Sequence, residues 1–214
     1  MRYFIRSTAL LMLALQVFAL AAWADMSELE VVNNTGTEIA YLFVSPGDSS
    51  EWGPDLLDSE SFLEPSDSHE FMISYDGNSG KFDIMLVTID GDSYTRFNQT
   101  ISSKSKRVTV NESDFDGVNE LEMASVTLYN NTGYELYYLF FSPEDSAVWG
   151  PDILRSDVTL EDGDVYSFYV PVSSAVTYNV RAVDEDDDDY IFDLTLEPDQ
   201  EAEYEIDIMD LSED

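Results

Sequence analysis

Along most of this chain, apolar and polar residues alternate with a period of two. Val, Ile, Thr, Tyr and Phe fill the apolar positions, and no stretch of a dozen residues keeps a helical stripe. Such alternation predicts half-buried strands, because successive side chains of a strand point to opposite faces. Strands are expected at 29–33, 38–45, 69–75, 82–89, 93–101 and 107–110. A second set is expected at 125–130, 135–142, 165–170, 177–183, 190–196 and 201–208. Short strands bounded by Asn, Gly, Pro and Asp clusters predict an all-β chain of antiparallel β-sandwiches. The rows expected to face inward are Val31, Ile39, Leu42, Phe71, Ile84 and Leu86, then Tyr137, Leu139, Phe168, Val180 and Val183.

The pattern is written twice. Asn33-Asn34-Thr35-Gly36 returns as Asn130-Asn131-Thr132-Gly133, and Trp52-Gly53-Pro54-Asp55 as Trp149-Gly150-Pro151-Asp152, each pair 97 positions apart. Between Val32 and Leu63, 19 of 32 positions match their partners without a gap. A period of this length is a whole domain rather than one rung of a solenoid. The expected organisation is a leader at 1–24, sandwiches at 25–110 and 125–214, and an acidic linker at 111–124. The Asn-Asn-Thr-Gly runs read as hairpin turns, since Asn tolerates and Gly freely adopts positive φ. They also contain Asn-x-Thr glycosylation patterns, for which turn chemistry is the favoured reading. A helical turn is expected at 54–57, with Pro54 at its first position.

The leader departs from alternation. Arg2 and Arg6 form a basic start, residues 7–22 are almost wholly apolar, and Ala22-Trp23-Ala24 offers a small-x-small cleavage pattern. These are the marks of a secretory signal peptide, predicting a periplasmic or secreted protein. No later apolar run is long enough to span a bilayer, so the mature chain is expected to have no transmembrane segment.

Charge narrows the partners. The chain has 9 basic and 45 acidic residues, a net charge of −36, and only three lysines (Lys81, Lys104, Lys106). Such a surface repels nucleic-acid phosphate and anionic lipid. Three origins of the acidity compete: a saline habitat, binding of divalent cations, and solubility alone. There is no Cys, so stability must come from packing rather than disulfides. The one histidine, His69, has Tyr166 at the repeat position, and neither a Gly-rich phosphate loop nor zinc-type spacing occurs. A catalytic role is not expected.

Two constellations could carry chemistry. Asp90-Gly91-Asp92 lies between two expected strands, and the run from Asp184 to Asp189 lies at the equivalent place in the second repeat. Calcium takes six to eight oxygens, and Asp90, Asp92, Asp184, Asp186 and Asp188 are the candidate ligands. The alternative is a solvated acidic hairpin. The second constellation is the loop bearing Trp52 and Asp55, repeated as Trp149 and Asp152. Each Trp is either a stacking platform for a sugar or partner, or the lid of its own sandwich. Each Asp is a further metal ligand or a cap.

Several of these runs together resemble a family of uncharacterised small exported bacterial β-rich domains. They are Val-x-Asn-Asn-Thr-Gly at 31–36, Tyr-x-Phe-x-Ser-Pro at 41–46, Trp-Gly-x-Asp-Leu-Leu at 52–57 and Val-Asp-x-Asp-x-Asp-x-Tyr at 183–190. The second repeat has Leu128 in place of the first valine. The resemblance covers nearly the whole mature chain and implies a periplasmic or secreted module without established activity. Members carry Asp-Glu-Asp-Gly-Asp at the late hairpin; here Asp187 replaces the glycine, and the first repeat opens that tip with Thr88-Ile89. The expectation is an exported non-enzymatic binding or envelope module, with an unidentified envelope or extracellular ligand and Ca²⁺ supporting its acidic hairpins. The alternatives are a salt-adapted structural envelope protein without a ligand and a carbohydrate-binding module.

Overall fold

A computed structural model of the chain describes residues 25–57, 61–118, 121–155 and 158–212. The leader expected at 1–24 lies outside the described residues. The first half contributes β1 (Asp25–Asn34), β2 (Tyr41–Pro46), β3 (Ser68–Tyr75), β4 (Gly80–Val87), β5 (Asp92–Ile101), β6 (Arg107–Asn111) and β7 (Phe115–Val118). The second contributes β8 (Met123–Asn130), β9 (Leu136–Pro143), β10 (Gly150–Pro151), β11 (Val165–Pro171), β12 (Val176–Asp184), β13 (Asp189–Leu196) and β14 (Glu201–Ile206).

Each half is a β-sandwich. In the first, β3-β1-β6 forms one sheet and β2-β4-β5-β7 the other; in the second, the sheets are β11-β8-β14 and β9-β12-β13. The sandwiches are not purely antiparallel. β1 runs parallel to β6, with Val31 opposite Val108, and β8 runs parallel to β14, with Val126 opposite Ala202. The last long strand of each half crosses from the opposite sheet to lie beside the first, and that crossing sets its direction.

Period-two alternation places Leu29, Val31, Phe71 and Ile73 of one sheet against Leu42, Val44, Ile84 and Leu86 of the other, all buried. The second half repeats the scheme, and the inward-facing buried apolar residues of both halves form one contiguous cluster, with Phe43, Met85 and Val87 in a smaller separate one. Two expected core positions differ. Tyr137 is 42% exposed, because β9 turns Leu136 inward to bridge Leu160, and the ladder shifts register at Val183 and Asp184. Val183 is buried, but three residues from Val180 it lies on the other face of β12.

The Asn-Asn-Thr-Gly runs are not hairpins: they carry the chain from β1 to β2 and from β8 to β9, across to the other sheet. The first Asn of each is fully buried with its amide fully engaged. Asn33 Nδ2 donates to the carbonyls of Thr37 and Leu63, both at 2.8 Å, and its Oδ1 accepts from the Thr35 amide and hydroxyl. Asn130 repeats this with Tyr134, Leu160 and Thr132. A buried amide with every site satisfied fixes the arch rather than accepting a sugar.

Of the segment expected as a linker, 111–124, residues 111–118 and 123–124 belong to the fold. A 3₁₀ turn at Glu112–Asp114 leads into β7, which adds to β5. It also has a counterpart: the Asn111 amide donates to Asp114 and the Asp207 amide to Asp210, and Tyr94 and Tyr190 then pair with Phe115 and Leu211. No helical turn forms at 54–57. Asp55 bridges Phe43 on β2, as Asp152 bridges Phe140 on β9.

The two sandwiches meet through these repeated loops, reciprocally. The Asp55 amide donates to the Tyr169 carbonyl at 2.8 Å, and the Asp152 amide to the Met72 carbonyl at 2.9 Å. Ser49 Oγ donates to Asp145 and Ser146 Oγ to Asp48, at 2.6 and 3.0 Å. The amides of Ser50 and Ala147 reach the second oxygens of the same two carboxylates, both at 3.2 Å. Contacts that repeat with partners exchanged define an isologous, two-fold-like junction. β10 of the second half lies against β3 of the first, so the edge of that sheet is covered along Met72–Ser74.

Candidate functional site

Each acidic tip is folded by one side chain that accepts from backbone amides, Asp184 in the second half and Thr88 in the first. Asp184 is buried at the end of β12. Its Oδ1 accepts from the amides of Asp186 and Asp188 at 2.9 and 3.0 Å, and its Oδ2 accepts from the Tyr190 hydroxyl at 3.2 Å. Burial first, then the Asp184 charge, pushes the Tyr190 phenol up to about 12, so it stays a donor. Asp187 takes the left-handed conformation (φ 66°) where the resembling family has glycine, and Asp186 and Asp188 are exposed. In the first half Thr88 Oγ1 accepts from the Asp92 amide at 3.0 Å, the same bond made by a neutral side chain, with Asp90 exposed at the tip. Among the described residues, no three His, Cys, Asp or Glu side chains come together to hold a metal ion. The five aspartates read as calcium ligands do not converge, and the oxygens of Asp184 fold its turn instead.

Asp55 and Asp152 are likewise structural in their contacts. Asp55 Oδ1 accepts from the amides of Leu42 and Leu57, at 2.9 and 3.1 Å; Asp152 Oδ1 accepts from Leu139 and Leu154 at the same two distances. Burial raises the Asp152 carboxyl to about 7, against the lowering effect of its two amide donors.

Trp52 and Trp149 are each half-buried, on the outer face of the sheet that contains β2 or β9. Neither closes the end of a sandwich. Trp52 packs on an outer cluster of Phe43, Met85 and Val87, and its carbonyl accepts from the hydroxyl of Tyr178 in the other half at 3.0 Å. Burial, then the charges of Glu51 and Asp145, raise that phenol.

Beside Trp52 lies a groove of about 300 Å³. Phe97, 58% exposed, forms one wall with its ring centroid 6.5 Å from that of Trp52. The floor is Met85 and Thr95, whose Oγ1 is buried with no partner among the described residues. The carboxylates of Glu51, Asp83 and Asp116 stand around it, and no basic side chain lines it. Asp83 is held by the Asn98 amide at 2.5 Å and Asp116 by the Ser93 hydroxyl. Sequence reading found Trp52 but not the rest. The signal for Asp83, Met85, Thr95 and Phe97 was their shared outward parity on β4 and β5, visible only once β4 is known to pair with β5.

The second half treats the matching face differently. Phe43 sits opposite Met85 in the ladder, and Phe140 sits opposite Arg181. The Arg181 guanidinium lies 5.7 Å from the Phe140 ring centre and 5.9 Å from that of Trp149. Its Nε and one terminal nitrogen donate to the two oxygens of Asp189 at 2.9 and 3.1 Å.

No family model matches this chain, and no curated protein matches it. Among solved structures it is similar to the fibronectin(III)-like modules of Clostridium thermocellum CbhA. That likeness has 12% identity over 82% of this chain and 95% of that one, with a TM-score of 0.20. The β-sandwich fold is evident from the strand order itself. No helix among the described residues is long and apolar enough to cross a membrane.

Proposed function

We propose that this is an exported, non-catalytic binding module whose ligand face is the outer surface of β2, β4 and β5 around Trp52. The observation that carries the reading is the pairing of half-buried Trp52 with exposed Phe97 along an acid-rimmed groove. Large aromatic surface held open beside fixed polar groups favours recognition, because the rings gain contact area at little conformational cost. The basic start, apolar run and Ala22-Trp23-Ala24 pattern support export.

The test follows the tryptophan indole N–H signals in protein labelled with ¹⁵N at tryptophan. Three probe classes are added in turn: soluble oligosaccharides, short basic peptides and CaCl₂. Saturable movement of the Trp52 signal with one class, lost in Phe97→Ala, is the expected result. A Trp52 signal that stays still with all three overturns the reading.

A further inference from the structure

We propose that the groove beside Trp52 receives an arginine side chain presented by a basic peptide segment of a partner. This rests on the reading that the Trp52 face binds a ligand, and it names the chemistry.

The two halves place equivalent aromatic pairs, Phe43 with Trp52 and Phe140 with Trp149, on equivalent outer faces. In the second half the chain supplies its own occupant. Arg181 carries a guanidinium onto both rings, and Asp189 grips it with two oxygens. A planar cation over aromatic faces, with a carboxylate at its edge, uses both the ring quadrupole and paired charged hydrogen bonds.

In the first half the same ladder position holds Met85, which is buried and uncharged, and the position matching Asp189 holds Ser93. The internal cation and its carboxylate are both replaced there, and of the aromatic pair Phe43 is fully buried while Trp52 stays open to the groove, which has its own ring and carboxylates. Trp52 and Phe97 form the walls, and Glu51, Asp83 and Asp116 supply a negative field that no basic residue of the lining neutralises. Met85 and Thr95 lie beneath these groups as the floor of the groove.

Arginine fits these features better than the alternatives. A hard metal ion has no use for two aromatic walls, and a sugar does not require three carboxylates. An ammonium is more strongly hydrated than a guanidinium and makes no planar, two-pronged contact with a carboxylate. The net charge of −36 adds long-range attraction for any basic segment.

The test titrates the tryptophan-labelled protein with N-acetyl-Gly-Arg-Gly-amide. The matched citrulline peptide keeps the shape and removes the charge, and a lysine peptide supplies an ammonium. All are compared at about 0.15 M salt, where distant charges are screened. The expected result is saturable movement of the Trp52 indole signal with that of Trp149 unmoved. The citrulline peptide is expected to bind at least about tenfold more weakly. Met85→Arg, which places the missing cation in the groove, is expected to abolish the response. Phe97→Ala, at an exposed position, is expected to weaken it without unfolding the protein.

Equal binding of arginine and citrulline peptides overturns the inference. So does a response that NaCl alone reproduces, or tighter binding of the lysine peptide. If an oligosaccharide moves the Trp52 signal and arginine does not, the arginine inference fails while the binding face stands. If nothing moves it, both fail.

Discussion

Replacing Asp152 by Asn should make the protein more stable above neutral pH and flatten its pH dependence. The buried carboxyl is raised to about 7 from 3.8, a difference of about 3 units. At 1.36 kcal/mol per unit this is about 4 kcal/mol of penalty on the ionised form. The folded state holds the proton more tightly than the unfolded chain, so stability falls as pH rises from about 4 to about 7, and the penalty is complete above that. Asn keeps an oxygen for the amides of Leu139 and Leu154 and carries no charge to desolvate. Its amide N–H groups enter a buried site and return roughly 1–3 kcal/mol of cost, leaving a net gain of about 1–3 kcal/mol at pH 8. Asp152→Ala, in contrast, strands both backbone donors and should destabilise by about 2–4 kcal/mol.

The assay is urea unfolding of both forms between pH 5 and 8 at constant ionic strength. The other carboxylates and the single histidine, His69, are common to both proteins, so they cancel in the difference. A stability difference between Asp152→Asn and wild type that stays constant across that range would show that folding does not raise the Asp152 carboxyl.

Other outcomes follow from the same geometry. Asn130→Ala removes an amide with two donated and two accepted bonds, and should cost about 3–4 kcal/mol in urea unfolding. At Gly53 a Cβ would lie 2.6 Å from the Val44 carbonyl oxygen, so Gly53→Ala should cost about 1–3 kcal/mol by thermal melting. At Gly150 the nearest atom is 3.5 Å away and φ is +74°, so Gly150→Ala should cost only the backbone strain of about 1 kcal/mol. Because the tip aspartates do not converge, calorimetric titration with CaCl₂ should give no saturable heat. Melting curves in CaCl₂ and NaCl should then coincide at matched ionic strength.

Much of this architecture is legible in the residues, and the gaps have a common cause. Period-two alternation located the long strands because it is local: Leu42, Val44, Ile84 and Leu86 announce their face within their own strand. β7 and β10 escaped notice because Phe115–Val118 and Gly150–Pro151 become strands only through partners far away, on β5 and β3. The counterpart of 111–115 at 207–211 was hidden because the two runs share one bonding device, Asp114 and Asp210, and almost no identity. Crowded aspartates suggested a cation, yet one tucked inward, Asp184, met the needs of two amides and a phenol. The groove beside Trp52 could not be read at all, since its walls come from a loop and two strands whose proximity is tertiary.

The exchanged contacts between the halves have a consequence for assembly. A lone half would expose the very loop and strand edge that its sibling now covers, and would be driven to pair with another like itself at a rate set by its abundance. Joining the two in one polypeptide replaces that search with an encounter at a local concentration on the order of millimolar. Dilution, which would dissociate a pair of separate subunits, leaves this one whole.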